Sequence, residues 1–373
     1  MDFLFDETQQ MLADSVERFL AADYDFGTRQ RIAASEPGYS PEVWRTFAEL
    51  GWLALPFAES DGGFDGGPVE TMILMQAFGR GLVVEPYLAN VVLTGGIIRR
   101  LASDAQKRTW LEPLIAGELQ CALAFVEPQA RYELTDIATE AHSEGDGWHL
   151  SGAKGVVLNG GNAELLIVPA RTDGRRRDTD GITLFALAAD TEGVGVRRYP
   201  TVDGAQAAEI VLSDVRVDAD AVLGPVGQGF GAFEAAVEDA TLAVCAEAVG
   251  IMQVLTDKTV AYSKSRRQFG VPIGSFQALQ HRMVDMLTAC EQSHSLLLWA
   301  TSSHAAGGDS RRAVSAMKYL VGTAGRKVGQ EAVQIHGAMG VTWDLDVGHY
   351  FKRLTTIGQV FGNADWHLDR VAA

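Results

Sequence analysis

Cysteine is scarce in this sequence, and its three cysteines lie far apart, at Cys121, Cys245 and Cys290. An odd number of widely separated cysteines is typical of neither a disulfide framework nor a zinc site. The sequence therefore predicts a protein of a reducing compartment, without structural disulfides and without a bound metal.

Basic residues and long apolar runs are also in short supply. The chain has 31 lysines and arginines against 48 acidic residues, and its net charge of −17 repels nucleic-acid phosphates and anionic membranes. It has no apolar run of about 18 residues, the length that a membrane-spanning helix needs. Its first residues resemble no signal peptide. We therefore expect a cytoplasmic protein that binds neither nucleic acids nor membranes.

The apolar pattern divides the 373 residues into three parts. Residues 1–117 have apolar side chains at helical spacing. Residues 118–225 contain short apolar segments between turn residues, which is typical of a small β-barrel or sandwich. Residues 226–373 return to helical spacing, with four predicted long helices that would form a four-helix bundle. These helices are Phe233 to Lys264, Phe276 to Ala305, Arg311 to Gly337 and Val347 to Ala372.

Two motifs in the last part carry a specific resemblance. The first is Tyr262 to Ile273, YSKSRRQFGVPI, followed by Phe276 and Gln277, and the second is Ala332 to Gly340, AVQIHGAMG. Both resemble signature segments of the acyl-CoA dehydrogenases, and weaker matches spread this resemblance over nearly the whole chain. The resemblance implies an α+β multidomain fold with an N-terminal helical domain, a middle β-barrel and a C-terminal four-helix bundle.

In that family FAD is held across a dimer interface, and a glutamate removes the α-proton of an acyl-CoA while the β-hydrogen leaves as hydride to the flavin. This reaction needs a carboxylate near the α-carbon, donors at the thioester carbonyl and an apolar slot for the flavin ring. The resemblance thus defines three parts of a site: the dinucleotide tail, the ring and the base.

The family's contacts to the dinucleotide tail are matched in this sequence. Arg266 matches the arginine that binds the diphosphate in the family. An arginine suits this role because its guanidinium group can donate to two phosphate oxygens. Gly337 keeps the first glycine of a pair, whereas Ala338 replaces the second. His336, inside the same motif, is expected on the same surface. Six residues are interpreted as FAD-binding: Arg266, Phe269, Gln277, Gln334, Gly337 and Ala338.

The residues around the flavin ring differ from those of the family. Val126 replaces a threonine, residues 129–133 read QARYE in place of a small-Gly-Ser-Asp segment, and Gly155 and Leu158 stand in a segment where the family has a tryptophan and a threonine or serine. Because several of the family's ring-contacting residues are replaced on the same face, the sequence favours a loss of flavin-ring binding over unrelated single substitutions.

Neither position that the family uses for its base has a carboxylate. Gly362 occupies the place of the usual glutamate, and Ala240 occupies the alternative place in the first helix of the bundle. On a helix, Glu238 and Asp239 point about 200° and 100° away from residue 240. We expect both on an exposed helix face, so that no catalytic residue is predicted.

The sequence therefore predicts a subunit that shares FAD with a paralogous catalytic subunit, in a dimer or tetramer that oxidises an acyl-CoA. The family resemblance implies that electrons pass to an electron-transfer flavoprotein. The arrangement resembles bacterial mixed tetramers, some of which act on steroid-derived acyl-CoAs. Two alternatives stay open: a complete homo-oligomeric FAD-dependent acyl-CoA dehydrogenase with a displaced carboxylate as base, and a flavin-free acyl-CoA-binding or scaffold protein.

Overall fold

A computed structural model describes residues 5–372, which form two compact units. One unit contains the residues up to Arg31, Gly67–Val83 and the chain from Thr241 onwards, and the other contains Ile32–Gly66 and Val84–Ala240. Helices come first along the chain, strands follow and helices return, which confirms the predicted order of elements. The predicted domain boundaries, at residues 117 and 225, stay predictions.

Six α-helices precede the first strand in the described part of the chain. Side-chain caps begin some of them, since the Asp6 carboxylate accepts from the backbone amide of Gln9 and the Ser103 hydroxyl accepts from that of Gln106. A π-helical turn, Leu88–Thr94, leads directly into the fifth helix. The helices are α1 Glu7–Asp23, α2 Phe26–Ala33, α3 Pro41–Glu49, α4 Pro68–Gly81, α5 Gly95–Leu101 and α6 Asp104–Ile115.

The middle of the chain is an eight-stranded sheet. The strands are β1 Cys121–Leu123, β2 Glu140–Glu144, β3 Gly147–Leu158, β4 Leu165–Arg171, β5 Ile182–Ala188, β6 Val194–Pro200, β7 Gln206–Asp218 and β8 Val222–Leu223. They pair in the order β6-β7-β3-β2-β4-β5-β8, and β1 runs parallel to β4. Side chains such as Leu166, Phe185 and Ile210 form its apolar core. The predicted β domain is confirmed, and β6 and β8 are the two ends of its hydrogen-bonded path.

The C-terminal helices are α7 Phe230–Ser265, α8 Gln277–Ala305, α9 Arg311–His336, α10 Val347–Ile357 and α11 Ala364–Ala372. The first three agree with the prediction. The fourth predicted helix, from Val347 to Ala372, is wrong because residues 358–363 interrupt it. Phe361 and Gly362 have φ of 57° and 114°, outside the helical region. We call residues 358–363 the connector.

Two further properties concern the described residues as a set. No helix within residues 5–372 is both long enough and apolar enough for a bilayer crossing. Within the same range, no group of three or more histidine, cysteine or acidic side chains is arranged to hold a metal ion. All three cysteines are buried, and burial raises the pKa of the Cys245 thiol to about 12.

Candidate functional site

Three polar residues of the dinucleotide motifs lie exposed at the ends of C-terminal helices. Arg266 follows the last residue of α7, Gln277 is the first residue of α8, and Gln334 lies in the last turn of α9. None of these three side chains forms a hydrogen bond or an ion pair with any residue in the described range. Their donors are therefore free to bind a ligand.

Phe269 lies at the tip of a short hairpin between α7 and α8. The hairpin pairs β9, Arg267–Gln268, with β10, Val271–Pro272, and Phe269 and Gly270 form its turn with φ of 53° and 83°. The phenyl ring is 91% exposed and packs edge-on against Phe276, with 6.1 Å between ring centroids. A positive φ costs a non-glycine residue about 1–2 kcal/mol, and an exposed ring gains nothing from burial. Such a feature is typical of a binding element.

Gly337 ends α9 in a conformation that few other residues adopt. Its φ and ψ are 62° and −141°, and an added Cβ would meet no atom within 4 Å. The backbone, rather than a lack of space, therefore requires glycine at this position. Ala338, which replaces the second glycine, is exposed on the turn that follows.

His336 is buried, so its predicted place on the dinucleotide surface is wrong. Its ring stacks on Tyr262 at 4.3 Å between centroids, and the Tyr262 hydroxyl donates to the His336 carbonyl at 3.4 Å. Burial lowers the pKa of His336, and Nδ1 donates its proton to the carbonyl of Ala332 at 2.8 Å. The contact with Tyr262 joins the end of α7, which leads to Arg266, to the end of α9.

The Glu127 carboxylate, in the segment where the family contacts the flavin ring, is fully occupied. It accepts hydrogen bonds from Lys154 Nζ at 2.7 Å, Thr139 Oγ1 at 2.6 Å and Gln129 Nε2 at 2.7 Å, and from the amides of Ala138 and Thr139 at 2.8 and 3.1 Å. Burial alone would raise the pKa of Glu127, but the Lys154 charge and these hydrogen bonds outweigh it and lower the pKa to about 2. The Glu127 carboxylate is therefore a weak proton acceptor, and both of its oxygens already accept hydrogen bonds from protein donors.

Val126 and Gly155, two positions predicted to have lost ring contacts, lie side by side. The Gly155 amide donates to the Val126 carbonyl at 2.8 Å. An added Cβ at Gly155 would meet no atom within 4 Å, so the space beside it is open. The next residue, Val156, is 48% exposed and has φ of 51°. Valine and glycine supply no side-chain donor, and this face therefore has no such donor for the edge of a flavin ring at these positions.

The predicted base position is filled by neighbouring side chains. A Cβ added at Gly362 would lie 2.6 Å from His367 Nε2 and 2.6 Å from Trp366 Cε3. Lys318 Nζ donates to the Gly362 carbonyl at 2.6 Å, and His367 Nε2 donates to the Phe361 carbonyl at 3.0 Å. A side chain at residue 362 therefore has no room in this arrangement.

Sequence reasoning missed Lys318, although the sequence contains a signal for it. Lys318 lies on the buried stripe of α9, one turn after Val314 and one turn before Val321, and it is fully buried. A single lysine on an otherwise apolar helix stripe indicates a specific internal acceptor. Burial lowers the pKa of Lys318 to about 8, so that its amino group is mostly protonated at neutral pH.

Asp239, which precedes the alternative base position in the sequence, is held in an ion cluster. Ala240 itself is fully buried. Asp239 Oδ2 accepts from Arg99 Nη2 and from Arg100 Nη2, both at 2.8 Å, and the Asp239 side chain is 14% exposed. The prediction that Asp239 lies on an exposed helix face is therefore wrong, and Glu238 is partly buried. An oxygen that already accepts from two guanidinium groups is poorly placed to take a proton from a substrate.

The order of helical, β and helical domains is matched by models of one family of enzymes. The N-terminal, middle and C-terminal domains of acyl-CoA dehydrogenases match residues 6–118, 122–215 and 227–373. The short-chain specific acyl-CoA dehydrogenase of Megasphaera elsdenii is 30% identical over 356 residues, which cover 91% of this chain and 92% of that protein. The chain belongs to the acyl-CoA dehydrogenase family, as its two motifs predict.

Solved structures agree with this fold. PigA with FAD and proline has a TM-score of 0.92 and 26% identity, covering 100% of this chain and 98% of PigA. A chain of the ChsE4-ChsE5 complex from Mycobacterium tuberculosis has a TM-score of 0.90 and 27% identity, covering 100% of this chain and 98% of that chain. The predicted fold class is therefore confirmed.

Proposed function

We propose that this chain is a subunit of an FAD-dependent acyl-CoA dehydrogenase that holds the dinucleotide part of FAD and leaves the flavin ring and the base to a paralogous catalytic subunit. The main support for this proposal is the lack of room for a side chain at residue 362. A chain that acts alone needs a carboxylate there or at an equivalent place. The similarity to a chain of the two-protein ChsE4-ChsE5 complex supports a heteromeric assembly.

The exposed residues fit the dinucleotide part of FAD. Arg266 would donate to the pyrophosphate, and Gln277 and Gln334 would supply amide contacts. The N-terminus of α8 has no side-chain cap at Phe276, so its free amides favour an anion. Phe269 would contact the nucleotide with its exposed ring.

The residues that correspond to the ring cradle do not fit in the same way, since Val126 and Gly155 offer no side-chain donor and Glu127 is fully occupied. When bound, the flavin supplies the hydride-accepting chemistry of the enzyme. In the proposed assembly, the ring and the acyl-CoA lie in the catalytic subunit. That subunit abstracts the α-proton, and electrons pass to an electron-transfer flavoprotein. A steroid-derived acyl-CoA is a candidate substrate, because halving the number of sites leaves room for a bulky acyl group.

Co-expression tests the proposal. The chain would be purified alone and together with a family member from the same genome that retains the glutamate, and the ratio of flavin absorbance near 450 nm to protein would be measured. We expect stoichiometric FAD and acyl-CoA-dependent flavin reduction only in the co-purified complex. Stoichiometric FAD and acyl-CoA oxidation by the chain alone would contradict the proposal, and a complex without flavin would favour a flavin-free scaffold.

The rival of a complete enzyme with a displaced base is tested on the chain purified alone and supplied with excess FAD, together with its Glu238→Gln and Asp239→Asn variants. We expect no acyl-CoA-dependent flavin reduction by any of the three, because Asp239 is held by two arginines and no partner supplies a base. Reduction by the unmodified chain that falls about 100-fold or more in either variant would identify that carboxylate as the base.

A further inference from the structure

We propose that Lys318 is a positioning residue, which holds the connector in a conformation that leaves no room for a side chain at residue 362, the base position of the family. The fold itself, and not only the missing carboxylate, then prevents this position from supplying a base. The inference rests on the proposed function, since a closed base position matters in a chain that leaves catalysis to its partner.

Two successive carbonyls of the connector are each bound by a buried side chain. Lys318 Nζ donates to the Gly362 carbonyl at 2.6 Å, which is its only hydrogen-bond acceptor within residues 5–372. His367 Nε2 donates to the Phe361 carbonyl at 3.0 Å. Because Phe361 and Gly362 both have positive φ, neither carbonyl continues the pattern of α10. The two bonds therefore fix a backbone conformation that helix hydrogen bonding would not produce.

Within residues 5–372, Lys318 has no anionic partner to compensate its burial. Burial lowers the pKa of Lys318 more than the Cys245 thiol raises it, and that thiol is itself kept neutral because burial raises its pKa to about 12. A buried ammonium retains its charge only where a strong acceptor is fixed, because desolvation disfavours the charged form. The carbonyl of Gly362 is that acceptor, and the hydrogen bond is charge-assisted. The Lys318 hydrogen bond therefore joins the buried face of α9 to the backbone of the connector.

His367 and Trp366 form the wall that a side chain at residue 362 would strike. His367 is 3% exposed, and burial lowers its pKa to about 3, so that the ring is neutral and Nε2 carries its proton. Trp366 packs edge-on against His367 at 4.7 Å, and Arg370 lies over the indole at 4.6 Å. Because these contacts fix both rings, rotating them away from a Cβ at 2.6 Å would cost packing energy.

Hydrogen–deuterium exchange of the full-length chain tests the role of Lys318. Lys318→Met keeps the apolar stem and removes the donor, and Lys327→Met is the matched control, because Lys327 is a half-exposed lysine of the same helix that pairs with Asp285. We expect the amides of residues 358–366 to exchange at least about 10-fold faster in Lys318→Met, and exchange in the rest of α9 to stay within about twofold of the unmodified chain.

Two outcomes of this experiment would overturn the proposal. One is an unchanged connector in Lys318→Met. The other is a uniform acceleration over α7, α8 and α9, which would make Lys318 a core residue without a positioning role. The measurement needs neither flavin nor partner, so a failed proposed function, seen as FAD-dependent activity of the chain alone, is distinguishable from a failed inference.

Gly362→Ala is the second variant, for the case in which Lys318→Met does not fold. It keeps Lys318 but adds the methyl group that would strike the wall, and Gly358→Ala is its control, because Gly358 has φ of −62° and only ordinary contacts at 3.4 Å. We expect Gly362→Ala to lower the Tm by about 4 °C or more and to accelerate exchange in residues 358–366, with Gly358→Ala within about 1 °C of the unmodified chain. If Gly362→Ala behaves like its control, the position has room for a side chain and the inference is wrong.

Discussion

Glu127 and Lys154 form an ion pair that is almost completely removed from water, with side chains 1% and 0% exposed. Desolvation of two such groups costs several kcal/mol for each ion. It is offset by the mutual attraction, by the other hydrogen bonds of the carboxylate and by a bond of 2.7 Å from Lys154 Nζ to the Pro169 carbonyl. The pair therefore holds the Glu127–Pro128 segment to β3 and β4, and the carboxylate that does so is already occupied by protein donors.

Glu127→Gln should destabilise the chain by about 3–5 kcal/mol, because Lys154 would remain buried without a counter-charge. The Tm measures the effect, and Glu209→Gln is the control, since Glu209 forms an exposed pair with Arg197. The folded-state pKa of Glu127 lies below its ordinary value, so the stability that it contributes is complete above about pH 4.5 and is lost as the pH falls toward 2. The difference between Glu127→Gln and the unmodified chain should shrink over that range, and a difference that does not change with pH would contradict this assignment.

Among the elements, α7, α8 and α9 could be predicted because each is a long segment without proline in which apolar side chains recur at helical spacing. The break between α10 and α11 could not be predicted in the same way. The segment has helical spacing on both sides, and the positive φ of Phe361 is stabilised by bonds from Lys318 and His367, which come from other positions in the chain. The local signals of this break are Gly362 and Asn363, and the Asn363 side chain caps α11 by accepting from the Trp366 amide at 3.0 Å.

In the ion cluster of Arg99, Arg100 and Asp239, we expect substitution of the aspartate to destabilise the chain more than substitution of either arginine. Asp239→Asn leaves two partly buried guanidinium groups without their counter-charge and should lower the Tm by about 4–8 °C, a destabilisation of about 2 kcal/mol. Arg99→Lys or Arg100→Lys should have less than half this effect, because the other arginine still reaches Oδ2. Asp285→Asn, in an exposed pair, is the control. Equal effects of all three cluster variants would show that the shared oxygen is not the centre of the cluster.

At the scale of the whole molecule, two short segments carry all the residues that are predicted to bind the dinucleotide, and that role stays a prediction. Arg266 and Gln334 are exposed, as a ligand contact requires, but His336 in the same motif is buried. The motif does not reveal which of its side chains point inward, since that depends on Tyr262 in another helix. Asp239 was misplaced for the same reason: its arginine partners lie about 140 residues away in the sequence.

Arg266→Lys should weaken FAD retention by the co-expressed complex about 10-fold while leaving the Tm of the chain alone unchanged. Lysine keeps the charge but loses the planar fork that bonds two phosphate oxygens. The measurement is the flavin-to-protein ratio after dialysis. Arg267→Lys is the control, because the Arg267 guanidinium already donates to the Gly270 carbonyl within the hairpin. Equal FAD retention in both variants would mean that Arg266 does not contact the pyrophosphate.

The ring of Phe269, 91% exposed, offers apolar surface for self-association. The net charge of −17 opposes this association, because identical copies of the chain repel one another. Dissolved salt shortens the reach of that repulsion to about 10 Å at 0.1 M and about 3 Å at 1 M, but it does not weaken apolar adhesion. The unaccompanied chain should therefore remain dispersed at low ionic strength and cluster as sodium chloride is added, and Phe269→Ser should reduce the clustering. Sedimentation velocity across a salt series measures this behaviour, and a sedimentation coefficient that is independent of salt would contradict it.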